Sequence, residues 1–371
     1  MAEEEKTQYG VGDTGPGGEA AAPDLPYRPR DPQAYRPAIG LVGCGGISEM
    51  HLGAYRRAGY NVVALCSRDE GRLRARQEEF FPQAEAYGDY RDLLARGDIE
   101  VVDLTPHPED RLPMIDLALE NGKHVLSQKP FVVDLDEGER LARLAAEKGL
   151  RLAVNQNGRW APHFSYMRRA VEAGLLGRVN SVDLSVHWDH GWIQETPFNE
   201  VEHLVLYDFG VHWFDMVNAF MGGRRALSVY ATEARAGGQR AKPPFLAQVA
   251  VAYEDAQATL AFNASTAVGQ EDRSFVAGEA GSVSSVGPDL QRQEVTLCTA
   301  AGRARPALEG TWFEEGFHGA MAELLCAVEE GREPDNGAAE NIKSLELCFA
   351  AVASARTGAA VEPGGARRLP A

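Results

Sequence analysis

The 371-residue chain has little cysteine: Cys44, Cys66, Cys298, Cys326 and Cys348 are scattered, and no two stand in CxxC spacing. That excludes a disulfide framework and the common zinc and dithiol motifs, and it is the thiol usage expected of a reduced, cytoplasmic protein. Positive charge is also scarce. Thirty-seven Lys and Arg stand against 54 Asp and Glu, for a formal net charge of −17. A surface of that sign repels phosphate backbones and anionic headgroups, which excludes a general nucleic-acid binder and a membrane-surface protein. No run of about 18 apolar residues is present, so no membrane-spanning helix is expected. The start lacks the basic residues and apolar stretch of a secretory signal. There is no internal repeat.

What remains is ordinary globular composition, 44% hydrophobic and 25% charged. At roughly 150 residues per domain, the length suits two domains. Residues 1–37 are set apart from them. They carry Glu3, Glu4 and Glu5, then Gly, Pro and Ala, then Pro26, Pro29, Pro32 and Pro37. Such a stretch buries too little apolar surface to offset its ordering entropy and is expected to be a flexible tail. An arm around Tyr27 and Tyr35, laid along another surface, is the alternative.

From residue 38 strands and helices alternate. Strand runs at 39–42, 61–66, 84–87, 100–105, 124–127 and 152–155 are separated by helical stretches at 48–58, 69–80, 90–95, 112–121 and 135–148. That alternation indicates βαβ units and a parallel sheet. The character then changes. Residues 180–188 (NSVDLSVHW) alternate apolar and polar, and runs at 226–232, 246–253, 258–262, 274–286 and 294–298 follow with few helices between. These read as an antiparallel sheet with one solvated face. Helices are expected at about 313–330 and 338–355. The fold class is α/β.

Gly43-Cys44-Gly45-Gly46-Ile47-Ser48 lies between the first strand and the first helix. Glycine allows a tight turn and a close backbone approach to a pyrophosphate, and the N–H groups at Gly45, Gly46 and Ile47 open toward the anion. Serine replaces the third glycine of GxGxxG and is small enough for helix–sheet packing. Within a βαβ unit this is a dinucleotide cradle. The second strand ends in Cys66-Ser67-Arg68, without the carboxylate that would bind a ribose 2′-OH. Ser67 and Arg68 suit a 2′-phosphate, so NADP is favoured over NAD.

Two further motifs carry a resemblance. They are Gly122-Lys123-His124-Val125-Leu126-Ser127-Gln128-Lys129-Pro130 and Asp208-Phe209-Gly210-Val211-His212-Trp213-Phe214-Asp215. With the cradle, they make the chain similar to the Gfo/Idh/MocA oxidoreductases, the glucose-fructose oxidoreductase and inositol dehydrogenase family. The resemblance runs from about residue 39 to the C-terminus and includes Asn157-Gly158-Arg159-Trp160-Ala161-Pro162. It implies a Rossmann domain at 38–156 and an α/β substrate domain at 157–371. The second domain has a large open antiparallel sheet, through which a homo-oligomer is expected. The family's motif lysine falls on Lys129, and its paired aspartate and histidine fall on Asp208 and His212. The family usually reads Glu-Lys-Pro, and Gln128 here keeps hydrogen-bonding capacity without the charge.

The chemistry also follows from the residues. Lys129 stands at a strand's carboxyl end, where open α/β sheets bind ligands. Asp208, His212 and Asp215 at i, i+4 and i+7 share one face of a helix, with Asp215 the structural member. An alcohol that loses hydride must also lose its hydroxyl proton, a task for His212. Asp208 would orient it or hold a substrate hydroxyl, and Lys129 would stabilise the reacting oxygen. Thr105, Pro106, His107 and Gln128 are expected to line the cofactor. Arg159 and Trp160 are expected in the cleft; His190 and Trp192 either meet a sugar ring or belong to the core and a turn. A metal site from His187, Asp189, His190 and His203 matches no ligand spacing and is not expected. The reading is therefore an NAD(P)-dependent oxidoreductase acting on a sugar, sugar derivative or cyclic polyol. The alternatives are a glycosidase-type enzyme using NAD for transient oxidation, and a non-catalytic cofactor-binding protein.

Overall fold

The computed structural model describes residues 18–369. The first layer system is built from β1 (Ala38–Val42), α1 (Ser48–Ala58), β2 (Asn61–Cys66), α2 (Glu70–Phe80), β3 (Glu85–Tyr87), α3 (Tyr90–Leu94), β4 (Ile99–Leu104), α4 (Pro108–Glu120), β5 (His124–Ser127), α5 (Leu135–Glu147) and β6 (Leu152–Val154). The six strands are all parallel, in the order β3-β2-β1-β4-β5-β6. Strand order reverses between β1 and β4, and a crevice at their carboxyl ends is where this topology binds dinucleotides. Helix α4 starts a turn earlier than expected and tolerates Pro113 inside it. The strands are largely apolar because both sheet faces are covered.

The second system comprises α6 (Pro162–Glu172), β7 (Val179–His187), α7 (Val211–Phe220), β8 (Ser228–Ala234), β9 (Leu246–Ala252), β10 (Gln257–Asn263), β11 (Glu271–Gly278), β12 (Gly281–Asp289), β13 (Arg292–Thr299), β14 (Gly302–Ala304), α8 (Glu314–Glu330) and α9 (Ala338–Thr357). Its eight-stranded sheet runs β14-β13-β12-β11-β7-β10-β9-β8. It is mixed: β7 and β10 pair in parallel, from Ser181 opposite Gln257 to His187 opposite Asn263. The other six pairs are antiparallel as expected, and this one parallel pair is the departure. The chain leaves β7, crosses through α7, re-enters at the far edge as β8 and meanders back. A long crossover of that kind is what a parallel pair needs. The stretch 274–286 is a hairpin, β11 and β12, not one strand. Alternation along β9 and β10 puts one face inward, while Tyr230 and Val286 stand exposed on the other.

Two segments tie the systems together. Phe317, Met321, Leu324 and Leu325 of α8 join the core made by Ile39, Leu41, Leu52 and Tyr55, so a C-terminal helix covers the first sheet beside α1. Residues 18–37 lie as an arm across the body; residues 1–17 lie outside the described residues. The Glu329 carboxylate accepts the backbone N–H groups of Gln33, Ala34 and Tyr35, and Asp31 Oδ1 accepts from Tyr60 and His318. The arm has no core of its own but finds charge-assisted partners for its backbone. Among the described residues no helix is long and apolar enough to cross a membrane, and the five cysteines are free.

One core residue sets a pH dependence. Asp272 on β11 is fully buried, with neither carboxylate oxygen hydrogen-bonded, and burial pushes its pKa up to about 8. An unfolded aspartate titrates near 3.9, so between about pH 4 and 8 the folded chain holds a proton that the unfolded chain has lost. Stability from this residue therefore falls as pH rises through that window. Asp272→Asn is expected to raise the melting temperature at pH 8 and to change it little at pH 5, as thermal denaturation at the two pH values will test.

Candidate active site

The glycine turn after β1 takes the shape that its residues demand. Gly43 has φ +100°, and a Cβ there would lie 2.5 Å from Thr105 Oγ1 and 3.0 Å from Pro106. Only glycine satisfies both constraints. Thr105 locks the turn by donating its hydroxyl to Gly43 O at 2.7 Å. Nothing lies within 4 Å of a Cβ built on Gly45 or Gly46. Ile47 precedes α1 without a side-chain cap, so the first N–H groups of the helix are not taken up by a capping side chain. An open backbone cradle at a helix N-terminus fits a pyrophosphate.

Past β2, Arg68 is 87% exposed and lies 3.3 Å from Asp110. Ser67 Oγ accepts from Asp69 N, and Asp69 itself caps α2 by accepting from Arg72 N. The first carboxylate after β2 in the chain is thus engaged as a helix cap. His107 is exposed at the N-cap of α4, 6.5 Å from the Phe198 ring. Gln128, expected at the cofactor, is 4% exposed, and its side chain is engaged in the interior. Fully buried Arg111 donates to the carbonyls of Pro106 and Pro130, clamping the Thr105 loop to the Lys129 loop.

Lys129, from the end of β5, meets Asp208 from the second system. Its Nζ donates to Asp208 O at 2.8 Å and to Asp208 Oδ2 at 3.2 Å, and both side chains are about five-sixths buried. The expected Asp208–His212 helix-face pair is replaced by this contact. Residues Val205–Phe209 form a π-helical turn, with Phe209 N bonded to Leu204 O and Gly210 N to Val205 O. A Cβ on Gly210 would lie 2.6 Å from the carbonyls of Val205 and Leu206, so the junction with α7 requires glycine. The wider turn rotates Asp208 out of helical register with His212.

His212 is partly exposed, with a buried Nδ1 that has no partner and its ring edge-on to Trp312 at 5.4 Å. Burial, and then the positive charge of Lys129, holds its pKa well below the ordinary histidine range. The imidazole is therefore neutral at physiological pH.

Other expected residues lie elsewhere. Arg159 is 4% exposed and donates to both oxygens of Asp215, at 2.6 and 2.8 Å, and to Asp335 O. A guanidinium so committed is a core ion pair and not a cleft residue. Trp160 is buried against Gly319 and Arg168. His190 is buried and stacked on Trp188, while Trp192 is 56% exposed and belongs to a ring cluster with Phe198 and Phe209. His203 pairs with Glu233, and among the described residues no group of His, Cys, Asp and Glu is arranged for a metal. Trp312, which contacts His212, Trp213 and His163, gave no signal in the sequence because it stands alone in a loop.

Comparison with known proteins bears on this geometry. A family model described as "Oxidoreductase family, NAD-binding Rossmann fold" matches residues 38–156, and the GFO/IDH/MocA C-terminal domain matches 164–284. D-apiose dehydrogenase of Paraburkholderia graminis is 24% identical over 347 residues, covering 87% of this chain and 88% of its own. Inositol 2-dehydrogenase of Rhizobium meliloti is 25% identical over 334 residues, covering 85% and 96%. The same fold is seen in an Agrobacterium radiobacter oxidoreductase solved with NAD+, L-tartaric acid and magnesium, with TM-score 0.79, 21% identity and 89% and 99% coverage. It is also seen in the Bordetella pertussis WlbA dehydrogenase solved with NADH and UDP-GlcNAcA, with TM-score 0.72, 23% identity and 91% and 100% coverage.

Proposed function

The chain belongs to the Gfo/Idh/MocA oxidoreductase family, and from that premise we propose that it moves a hydride between NADP and a carbinol carbon of a sugar, sugar derivative or cyclic polyol. The observation that carries the reading is the meeting of Lys129 and Asp208 across the two sheets, with a neutral His212 beside them. The names of the apiose and inositol dehydrogenases support the substrate class.

The dinucleotide, when bound, supplies the hydride acceptor. Gly43, Gly45, Gly46 and Ile47 would hold its pyrophosphate, Ser67 and Arg68 its ribose phosphate, and Thr105, Pro106 and His107 the wall beyond. Lys129 spends two of its donors on Asp208 and keeps one for the reacting oxygen, whose developing negative charge it stabilises. His212 takes the hydroxyl proton in oxidation and returns it in reduction; with Nδ1 buried, Nε2 is the nitrogen that meets the substrate. Asp208 orients Lys129. Trp192 and Phe209 offer apolar ring faces to a sugar. The solvent face of the mixed sheet, carrying Tyr230 and Val286, is the surface for self-association.

Reduction of NADP+ and NAD+ across monosaccharides, inositols and anhydrosugars tests the reading. A panel member should reduce NADP+ faster than NAD+. If no member gives even a single-turnover burst of bound reduced cofactor, the dehydrogenase reading is wrong. A burst without net turnover would favour transient oxidation instead. Arg68→Glu is expected to lower kcat/KM for NADP+ by about 10- to 100-fold, the worth of one charge-assisted phosphate contact, and to spare NAD+. Equal losses with both cofactors would remove Arg68 from the specificity role.

A further inference from the structure

Beneath the Lys129 loop lies a chain of polar side chains with no part in the chemistry above. Tyr55 and His51 come from α1, Asp103 from β4, Gln128 from the end of β5 and Asn155 from the end of β6. His51, Asp103 and Asn155 are 0% exposed and Gln128 is 4% exposed. The Phe317 ring closes over His51 edge-on at 4.6 Å.

The direction of every bond follows from its ends. A carboxylate only accepts, so Asp103 Oδ2 takes the Tyr55 hydroxyl proton at 2.6 Å; the Tyr55 oxygen then accepts from His51 Nδ1 at 3.2 Å, and that nitrogen also lies 2.7 Å from Asp103 Oδ2. At the other end, the Lys129 backbone N–H only donates, so the Gln128 atom 2.6 Å from it is Oε1. Oε1 also faces Asn155 Nδ2 at 3.4 Å. The amide therefore turns its NH2 group to His51 Nε2 at 3.0 Å, and that nitrogen must accept. One tautomer of His51, protonated at Nδ1, satisfies both neighbours. A carboxylate at position 128 would present an oxygen to Nε2 and require one more proton between the two groups.

We propose that His51 and Gln128 are positioning residues for Lys129. The ordered chain from Asp103 through His51 and Gln128 anchors the Lys129 backbone N–H, and so fixes where the ammonium meets Asp208 and the substrate oxygen. Three strands of the first sheet and helix α1 converge on it, and a misplacement of about 1 Å at a reacting group costs on the order of 10²-fold in rate. This rests on the role proposed for Lys129 above.

Nitrogen-15 NMR of the His51 imidazole in the full chain tests the bond directions without any substrate. The expected result is a proton on Nδ1 and none on Nε2. A proton on Nε2 in the unaltered protein reverses the chain and overturns the proposal. In turnover with the substrate found by the panel, Gln128→Leu should lower kcat by about 10- to 100-fold while KM and cofactor affinity stay within about threefold. Gln128→Glu, which keeps an acceptor for the Lys129 N–H, should restore most of the rate. An unchanged kcat in Gln128→Leu overturns the proposal. Lys129→Met, run alongside, separates the two readings: if it too keeps full rate, the role of Lys129 is what fails. Where Gln128→Leu does not fold, the His51 tautomer decides.

Discussion

Lys129→Met is expected to lower kcat by about 10²- to 10³-fold, the usual cost of removing one preorganised donor from an oxygen that gains negative charge. Methionine keeps the length and apolar stem of lysine, so the loop between β5 and α5 retains its packing. Lost are the third N–H of the ammonium and the contact with Asp208 O and Oδ2. The cradle at Gly43 is built from other elements, so cofactor affinity measured by fluorescence titration should stay within about threefold. Because Asp208 is left largely buried without its cation, Asp208→Asn in the Lys129→Met background should recover stability but not rate. A single variant with kcat near that of the unaltered protein would remove Lys129 from the chemistry.

The second large effect belongs to His212. Replacing it with alanine is expected to cost about 10²- to 10⁴-fold in kcat for alcohol oxidation, the range for a lost general base. Its pH profile carries a sign. Burial and the Lys129 charge lower the pKa of the imidazole, so the neutral, proton-accepting form persists as pH falls. Oxidation should therefore hold its rate below the ordinary histidine range of about 6.5 and decline only in more acid solution. Lys129→Met removes one of the two causes, and the acid limb of its residual activity should move up. An acid limb at or above the ordinary value in the unaltered protein would contradict the burial that the geometry describes.

Much of this was legible because it rests on local sterics. The Gly43 turn needs positive φ and the absence of a Cβ, and no other residue supplies both, so it announces itself in the chain. The alternation of apolar strands and helices reads as a parallel sheet for the same kind of reason: both faces must be covered. What escaped reading depends on partners distant in the chain. Arg159 looks like a cleft residue until Asp215, 56 positions on, takes its guanidinium. Asp208 and His212 have helical spacing, but the π-turn before Gly210 adds a residue and sends Asp208 to Lys129 instead. His51, Asp103, Gln128 and Asn155 come together only once three strands and a helix are in place, and no spacing in the sequence relates them. The parallel β7–β10 pair was hidden likewise, because alternation along a strand does not record the direction of its neighbour.

The most direct test is the crystal structure of the chain with NADP+ and a substrate from the panel. The account predicts the pyrophosphate on the turn from Gly43 to Ile47, and one substrate oxygen within about 3.2 Å of both Lys129 Nζ and His212 Nε2. A substrate oxygen that reaches only one of the two side chains, or a dinucleotide bound away from the glycine turn, would contradict it.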